Sequence, residues 1–193
     1  MAAERGLRWL LAGGLVLAAA AAAAQSLEER LPACAACHGE AGVSPMEATP
    51  SLAAQPSAYS VVQLYMFREG LRPGTPMTDV AKDLTDEDLQ AFADHFAALA
   101  PPVPATDGDS GRIERGRALA QTHRCGVCHR PDFSGQGQVP RLAGQREDYL
   151  AKALREYKSG VRPGYDPAMA EVMASIGEPE INDLAYFLAR TGK

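Results

Sequence analysis

Apolar residues recur along the chain with a helical period and nowhere alternate strictly with polar ones, so the pattern predicts helices and no half-buried strand. The clearest run is Leu89, Phe92, Ala93 and Phe96. Thr85 stands before it as an N-cap, Asp86, Glu87 and Asp88 fill the first turn where the helix dipole favours acids, and Pro101 closes the segment. A matching run begins near Pro179 and passes through Ile181, Leu184, Ala185 and Leu188. Tyr59 to Arg68 and Asp148 to Lys158 form a second matched pair, and Ile113 to Ala120 is a further helix. The predicted fold class is all-α.

The helices match because the chain repeats itself. Pro50-Ser51-Leu52-Ala53-Ala54-Gln55 is answered by Pro140-Arg141-Leu142-Ala143-Gly144-Gln145, and Tyr59 by Tyr149. Gly70-Leu71-Arg72-Pro73-Gly74 is answered by Gly160-Val161-Arg162-Pro163-Gly164, and Val80, Leu84 and Leu89 fall on Val172, Ile176 and Ile181 at a constant offset of 92. Between the copies, residues 101–109 are rich in Pro, Gly and Asp and predict a linker. The expected domains are 25–100 and 110–193. Each holds about eighty residues and buries only a modest core by itself, so a large apolar cofactor would supply missing interior.

The repeat also carries chemistry. Cys34-Ala35-Ala36-Cys37-His38 returns as Cys125-Gly126-Val127-Cys128-His129. On a helical turn, positions i, i+3 and i+4 share a face, so two thiols and an imidazole point at one object. This is the attachment signature of c-type haem: two thioethers to the porphyrin and a histidine nitrogen on the iron. A redox dithiol or a Cys₄ zinc ribbon would also use C-x-x-C pairs. Zinc ribbons, however, keep their pairs roughly 15–20 residues apart. Here about ninety residues intervene and both pairs have the adjacent histidine. Two covalent haem c groups are expected, held by Cys34, Cys37, Cys125 and Cys128, with His38 and His129 as iron ligands.

The N-terminus predicts export. Arg5 and Arg8 precede a sixteen-residue apolar run from Trp9 to Ala24, and Ala22-Ala23-Ala24 offers small residues before Gln25. The reading is a cleaved signal peptide over residues 1–24. An uncleaved anchor is the alternative, although a spanning helix needs roughly 20 apolar residues.

From Gln25 onward the chain has 17 Lys+Arg against 23 Asp+Glu, an acidic balance that argues against nucleic-acid binding. The excess is uneven. Residues 25–107 carry 4 basic and 12 acidic side chains, net −8, whereas residues 108–193 carry 13 and 11, net +2. Lys152, Arg155, Lys158 and Arg162, preceded by Arg141 and Arg146, form a basic segment that is a candidate docking face for an acidic partner. A solvated helix face is the plain alternative.

A second axial ligand is nominated by the repeat. At the offset of 92, Met77 falls on Met169, each shortly after the Arg-Pro-Gly turn, where a loop presents a thioether sulfur. Met173 falls on Ala81 and is expected to pack; Met46 and Met66 have no methionine counterpart. His95 and His123 are read as packed or surface residues, with bis-His ligation as the alternative. Arg72 and Arg162, on tight turns, are candidates to pair with haem propionates or to be plain solvated arginines.

With its signal sequence, paired C-x-x-C-H motifs, Gln-x-x-x-Tyr pairs, Gly-x-Arg turns and matched methionines, the chain resembles the dihaem cytochrome c4 family. The resemblance implies two tandem class I cytochrome c domains related by a pseudo-twofold axis. It also implies that the carbonyls of Pro50 and Pro140 accept the Nδ1 protons of His38 and His129. The implied role is one-electron carriage in the periplasm, without catalysis. The partners would be protein redox partners, a respiratory donor and a terminal oxidase or dehydrogenase subunit. Peripheral membrane association is compatible with this; nucleic acid and a small-molecule substrate are not expected. The alternatives are the haem subunit of a periplasmic dehydrogenase, such as a flavocytochrome c sulfide dehydrogenase, and a dihaem peroxidase, which needs an open haem and an adjacent acid/base group.

Overall fold

A computed structural model describes residues 26–73, 76–162 and 167–192. The expected export signal over residues 1–24 lies outside the described residues, as do Gly74 and the Pro163-Gly164 part of the second arginine turn. Among the described residues the regular structure is helical: α1 (Leu27–His38), α2 (Ser57–Arg68), α3 (Met77–Ala81), α4 (Asp86–Ala97), α5 (Ser110–Thr122), α6 (Cys125–His129), α7 (Glu147–Ser159), α8 (Ala168–Ala174) and α9 (Glu178–Ala189). A single isolated bridge joins Gln136 to Val139. No described helix is long and apolar enough to cross a membrane.

The two halves have the same plan. In the first, α4 packs on α1 and α2, and α2 on α3; in the second, α9 packs on α5 and α7, and α7 on α8. Local chemistry sets the helix starts. Ser26 and Glu29 form a capping box on α1, with Glu29 N–H donating to Ser26 Oγ at 3.3 Å and Ser26 N–H donating to Glu29 Oε2 at 2.8 Å. Thr85, the N-cap that the sequence pattern predicts, repeats the device on α4 with Asp88. At α9 the N-cap is Gly177, which has no side chain, and its N–H donates to Glu180 Oε2 at 2.6 Å.

The repeat extends to backbone strain. Left-handed φ values occur at Gly39 and Arg130, at Gly42 and Phe133, and at Ala54 and Gly144, matched positions at which one copy dispenses with glycine. The turns they make close in the same way: Ala53 N–H donates to the Gly42 carbonyl and Ala143 N–H to the Phe133 carbonyl. The halves differ at the first motif helix. Pro32 lies inside a continuous α1, whereas Arg124 (φ 54°) breaks the chain between α5 and α6.

In the second half the core joins Leu150, Met173, Ile176, Ile181, Leu184 and Phe187 around Phe133 and Ala143, with Cys125 and Met169 packed at its margin. Residues 101–109 carry no helix. They are tied to α9: Asp109 N–H donates to Tyr186 Oη at 2.6 Å and Arg190 Nε to the Asp107 carbonyl at 2.7 Å.

Candidate functional site

Each C-x-x-C-H motif ends a helix, which places its histidine at the core boundary. His38 and His129 are each 5% exposed. His38 Nδ1 lies 2.8 Å from the Pro50 carbonyl oxygen and His129 Nδ1 lies 2.9 Å from that of Pro140. A carbonyl only accepts, so in both rings Nδ1 carries the proton and Nε2 keeps its lone pair. Burial lowers both histidine pKa values, with the proline carbonyl opposing it, so the rings are held neutral. Two neutral imidazoles, oriented from behind and with Nε2 unprotonated, are ready metal donors.

The thiols suit attachment better than dithiol chemistry. All four cysteines are free. Burial pushes the Cys34 and Cys125 thiols up, the reverse of the depressed values of redox C-x-x-C sites. Among the described residues no three His, Cys, Asp or Glu side chains converge as a metal-binding group, so the zinc-ribbon arrangement is absent there.

The methionines are placed differently from the expected loops. Met77 is the first residue of α3 and Met169 the second of α8, both partly buried. These helices are too short to leave a period in the sequence, which is why they read as loop. Met173 is 1% exposed and packs in the second core, opposite Ala81 in the repeat, as expected of a filler. Met66 is buried and Met46 exposed.

Arg72 and Arg162 are not solvated: they are 7% and 4% exposed. They meet at a seam between the halves. Arg72 stacks on Phe67 and Arg162 on Tyr157, each within its own half, at 4.4 and 4.9 Å. Their donors cross over. Arg72 Nη2 reaches Tyr149 Oη at 3.3 Å, and Arg162 Nη1 reaches the same oxygen at 3.2 Å. Arg162 Nη2 also donates to Tyr59 Oη at 3.0 Å and Gln63 Oε1 at 3.3 Å, while Arg72 Nη1 donates to Gln63 Oε1 at 2.7 Å. The two phenols respond in opposite directions. Burial pushes Tyr59 up to about 12 against the pull of Arg162. For Tyr149 burial acts the same way, but two guanidiniums outweigh it and hold the phenol down at about 8.

The seam has a second, reciprocal layer. Gln145 Nε2 donates to the Ser51 carbonyl and its Oε1 accepts from Ser51 N–H, both at 2.8 Å. Gln55 makes the same pair of bonds to Arg141, both at 3.0 Å. Because Gln55 matches Gln145 and Ser51 matches Arg141 in the repeat, this exchange is the isologous pattern a twofold axis produces. The repeat exposed the glutamines but not their role, since nothing local marks a residue whose partner lies in the other copy.

The cytochrome c family model matches residues 113–192, the second half. The chain is 30% identical to cytochrome c4 of Azotobacter vinelandii over 190 residues, spanning 89% of this chain and 90% of that one. The chain belongs to the cytochrome c4 family. A solved structure of reduced recombinant cytochrome c4 from Pseudomonas stutzeri superposes with a TM-score of 0.76 at 28% identity, covering 87% of this chain and 100% of that one. A thiosulfate dehydrogenase electron acceptor of Stutzerimonas stutzeri is 32% identical over 173 residues, covering 83% of this chain and 80% of its own. The all-α halves are thus two cytochrome c domains, and membership of the cytochrome c4 family brings covalent haem c, two groups in this dihaem family, with a place in electron transfer.

This chain's residues fit those groups. Arg72 and Arg162 are buried cations without a carboxylate partner among the described residues, and Arg162 Nε is a buried donor with no partner at all there. A buried guanidinium lacking a counter-charge is costly, and haem c carries two carboxylates of its own.

The basic docking segment is revised by the same geometry. Arg162 is withdrawn into the seam. Arg146 pairs with Asp148 at 2.8 Å, Lys152 with Glu156, and Arg155 with Glu178, while Lys158 Nζ donates to the Ala174 carbonyl at the end of α8. Among the described residues Arg141 and Lys158 donate to carbonyl oxygens rather than to carboxylates, so the segment is in part a face of paired charges and in part still basic.

Proposed function

We propose that this chain is a periplasmic electron carrier that passes single electrons between protein redox partners through two His/Met-ligated haems. Bound haem c supplies a one-electron iron centre. Cys34, Cys37, Cys125 and Cys128 hold the thioethers, His38 and His129 give one axial ligand each, and Met77 and Met169 give the other. Arg72 and Arg162 neutralise propionates from inside the seam. Residues 1–24 direct export, 25–100 and 110–193 are the two domains, and 101–109 link them.

The observation that carries this reading is the twin His–Pro bond, which leaves Nε2 of both buried histidines as a donor. Its test is the mass of the denatured protein after expression with a haem-attachment system. Two haem additions are expected, and one after Cys34→Ser, Cys37→Ser. A chain that carries none refutes the assignment.

The relation to a thiosulfate dehydrogenase electron acceptor supports a second reading, a haem partner of a dehydrogenase. Purification from native periplasm distinguishes them: a stoichiometric second polypeptide carrying dehydrogenase activity favours the partner role, and an isolated chain favours the free carrier.

A further inference from the structure

The peptide group joining Pro50 to Ser51 is engaged at both ends. Its carbonyl accepts from His38 Nδ1 at 2.8 Å, and its N–H, on Ser51, donates to Gln145 Oε1 at 2.8 Å. His38 belongs to the first domain and Gln145 to the second. The mirror path runs from His129 Nδ1 to the Pro140 carbonyl at 2.9 Å, and from Arg141 N–H to Gln55 Oε1 at 3.0 Å. Each domain therefore reaches the other's histidine through one amide.

An amide is a resonant unit, so an acceptor at its N–H draws charge onto its carbonyl oxygen and strengthens the bond that oxygen accepts. We propose that Gln145 and Gln55 are positioning residues that set, across the seam, the donor strength of the histidine in the opposite domain. The inference rests on His38 and His129 being the axial ligands proposed above. A more electron-rich Pro50 carbonyl pulls harder on the Nδ1 proton of His38. The ring then donates more strongly through Nε2 and favours the oxidised iron.

The layout is more specific than interface adhesion requires. Both glutamines are buried, at 5% and 4% exposure, where an unpartnered amide would be costly. Both clasp the residue directly after the histidine's acceptor, and both satisfy its N–H and C=O together. Gln145 Oε1 also takes Arg146 N–H at 3.0 Å, which has no counterpart among the bonds of Gln55 and makes the two paths unequal.

The test is Gln145→Leu and Gln55→Leu in the dihaem protein, with the potential of each haem read by spectroelectrochemistry. Gln145→Leu should raise the potential of the first-domain haem and leave the second in place; Gln55→Leu should do the reverse. The expected shift in the one-electron equilibrium is up to about twofold, from a roughly 10–30% weakening of one buried hydrogen bond worth about 0.5–1.5 kcal/mol. A shift in the same-domain haem, equal shifts in both, or none with two haems retained overturns the relay. Loss of haem or of axial ligation in the wild type would instead refute the ligand reading, and the haem mass and absorption spectrum of the same samples separate the two failures. If a variant does not fold, the reduced wild type decides: NMR should find the Ser51 and Arg141 amide protons protected from exchange, and rapid exchange at either overturns the proposal.

Discussion

Arg72 and Arg162 converge from opposite domains on one acceptor, the Tyr149 hydroxyl, at 3.3 and 3.2 Å. Tyr59, the repeat partner of Tyr149, serves Arg162 alone among the described residues. The pseudo-twofold axis is thus broken at its centre, and the two tyrosines carry unequal loads. Removing the Tyr149 hydroxyl takes an acceptor from two buried guanidiniums, whereas removing that of Tyr59 takes it from one. Tyr149→Phe should cost about 3 kcal/mol and Tyr59→Phe about 1.5 kcal/mol, in line with bonds to charged groups. Denaturant unfolding of the two variants checks this. Equal losses would mean that the shared hydroxyl is not the hub of the seam.

Met173 and Met169 separate core packing from ligation. Met173 is enclosed by the second core, so Met173→Ala should destabilise by about 2–5 kcal/mol and spare the weak far-red sulfur-to-iron absorption band. Met169→Ala and Met77→Ala should each remove about half of that band, one sulfur of the two proposed. Absorption spectra of the oxidised variants decide; a band that survives Met169→Ala but not Met173→Ala reverses the assignment.

The motif residues, the repeat and the longer helices were legible because each leaves a local trace: a fixed spacing, a duplicated string, an apolar period. Arg72 and Arg162 were visible as residues but not as buried ones, because their acceptors are contributed largely from the other copy, 77 and 103 residues away in sequence for Arg72–Tyr149 and Arg162–Tyr59. The same holds for Gln55 and Gln145. The break between α5 and α6 was hidden for another reason. Arg124 adopts a left-handed φ that sequence reading reserves for glycine or asparagine, so no residue type announced it.

Gly116 lets α5 approach α9 closely. A Cβ there would stand 2.3 Å from the Asp183 carbonyl oxygen and 2.5 Å from Phe187 Cβ, both on or carried by the α9 backbone and unable to swing away. Gly116→Ala should therefore destabilise by about 1–3 kcal/mol, despite alanine's better helix propensity, by forcing the helices apart. Gly126→Ala is the control, since its nearest neighbour would be an ordinary 3.5 Å away. Thermal unfolding of the pair measures the difference. A stabilised Gly116→Ala would show that the crossing has slack.

The same crossing predicts a pH dependence. Asp183 on α9 accepts from Arg115 Nε at 2.6 Å and from Arg112 Nε at 3.2 Å, both on α5. The Arg115 bond, with Arg112 behind it and burial opposing, holds the Asp183 carboxyl below its ordinary value. A carboxylate whose folded pKa is depressed contributes stability that is fully present above its unfolded value, near 4, and lost as pH falls through the folded one. Asp183→Asn keeps one acceptor oxygen and removes the charge. At neutral pH it should cost about 1–2 kcal/mol, a figure kept low because Arg115 is largely exposed and solvent screens the pair. As pH drops below about 4 the wild type should lose this advantage until the two proteins unfold alike. Urea midpoints measured between neutral and acid pH trace the convergence. A gap that persists unchanged below the folded pKa would mean that Asp183 acts through shape alone and that the α5–α9 contact is not electrostatic.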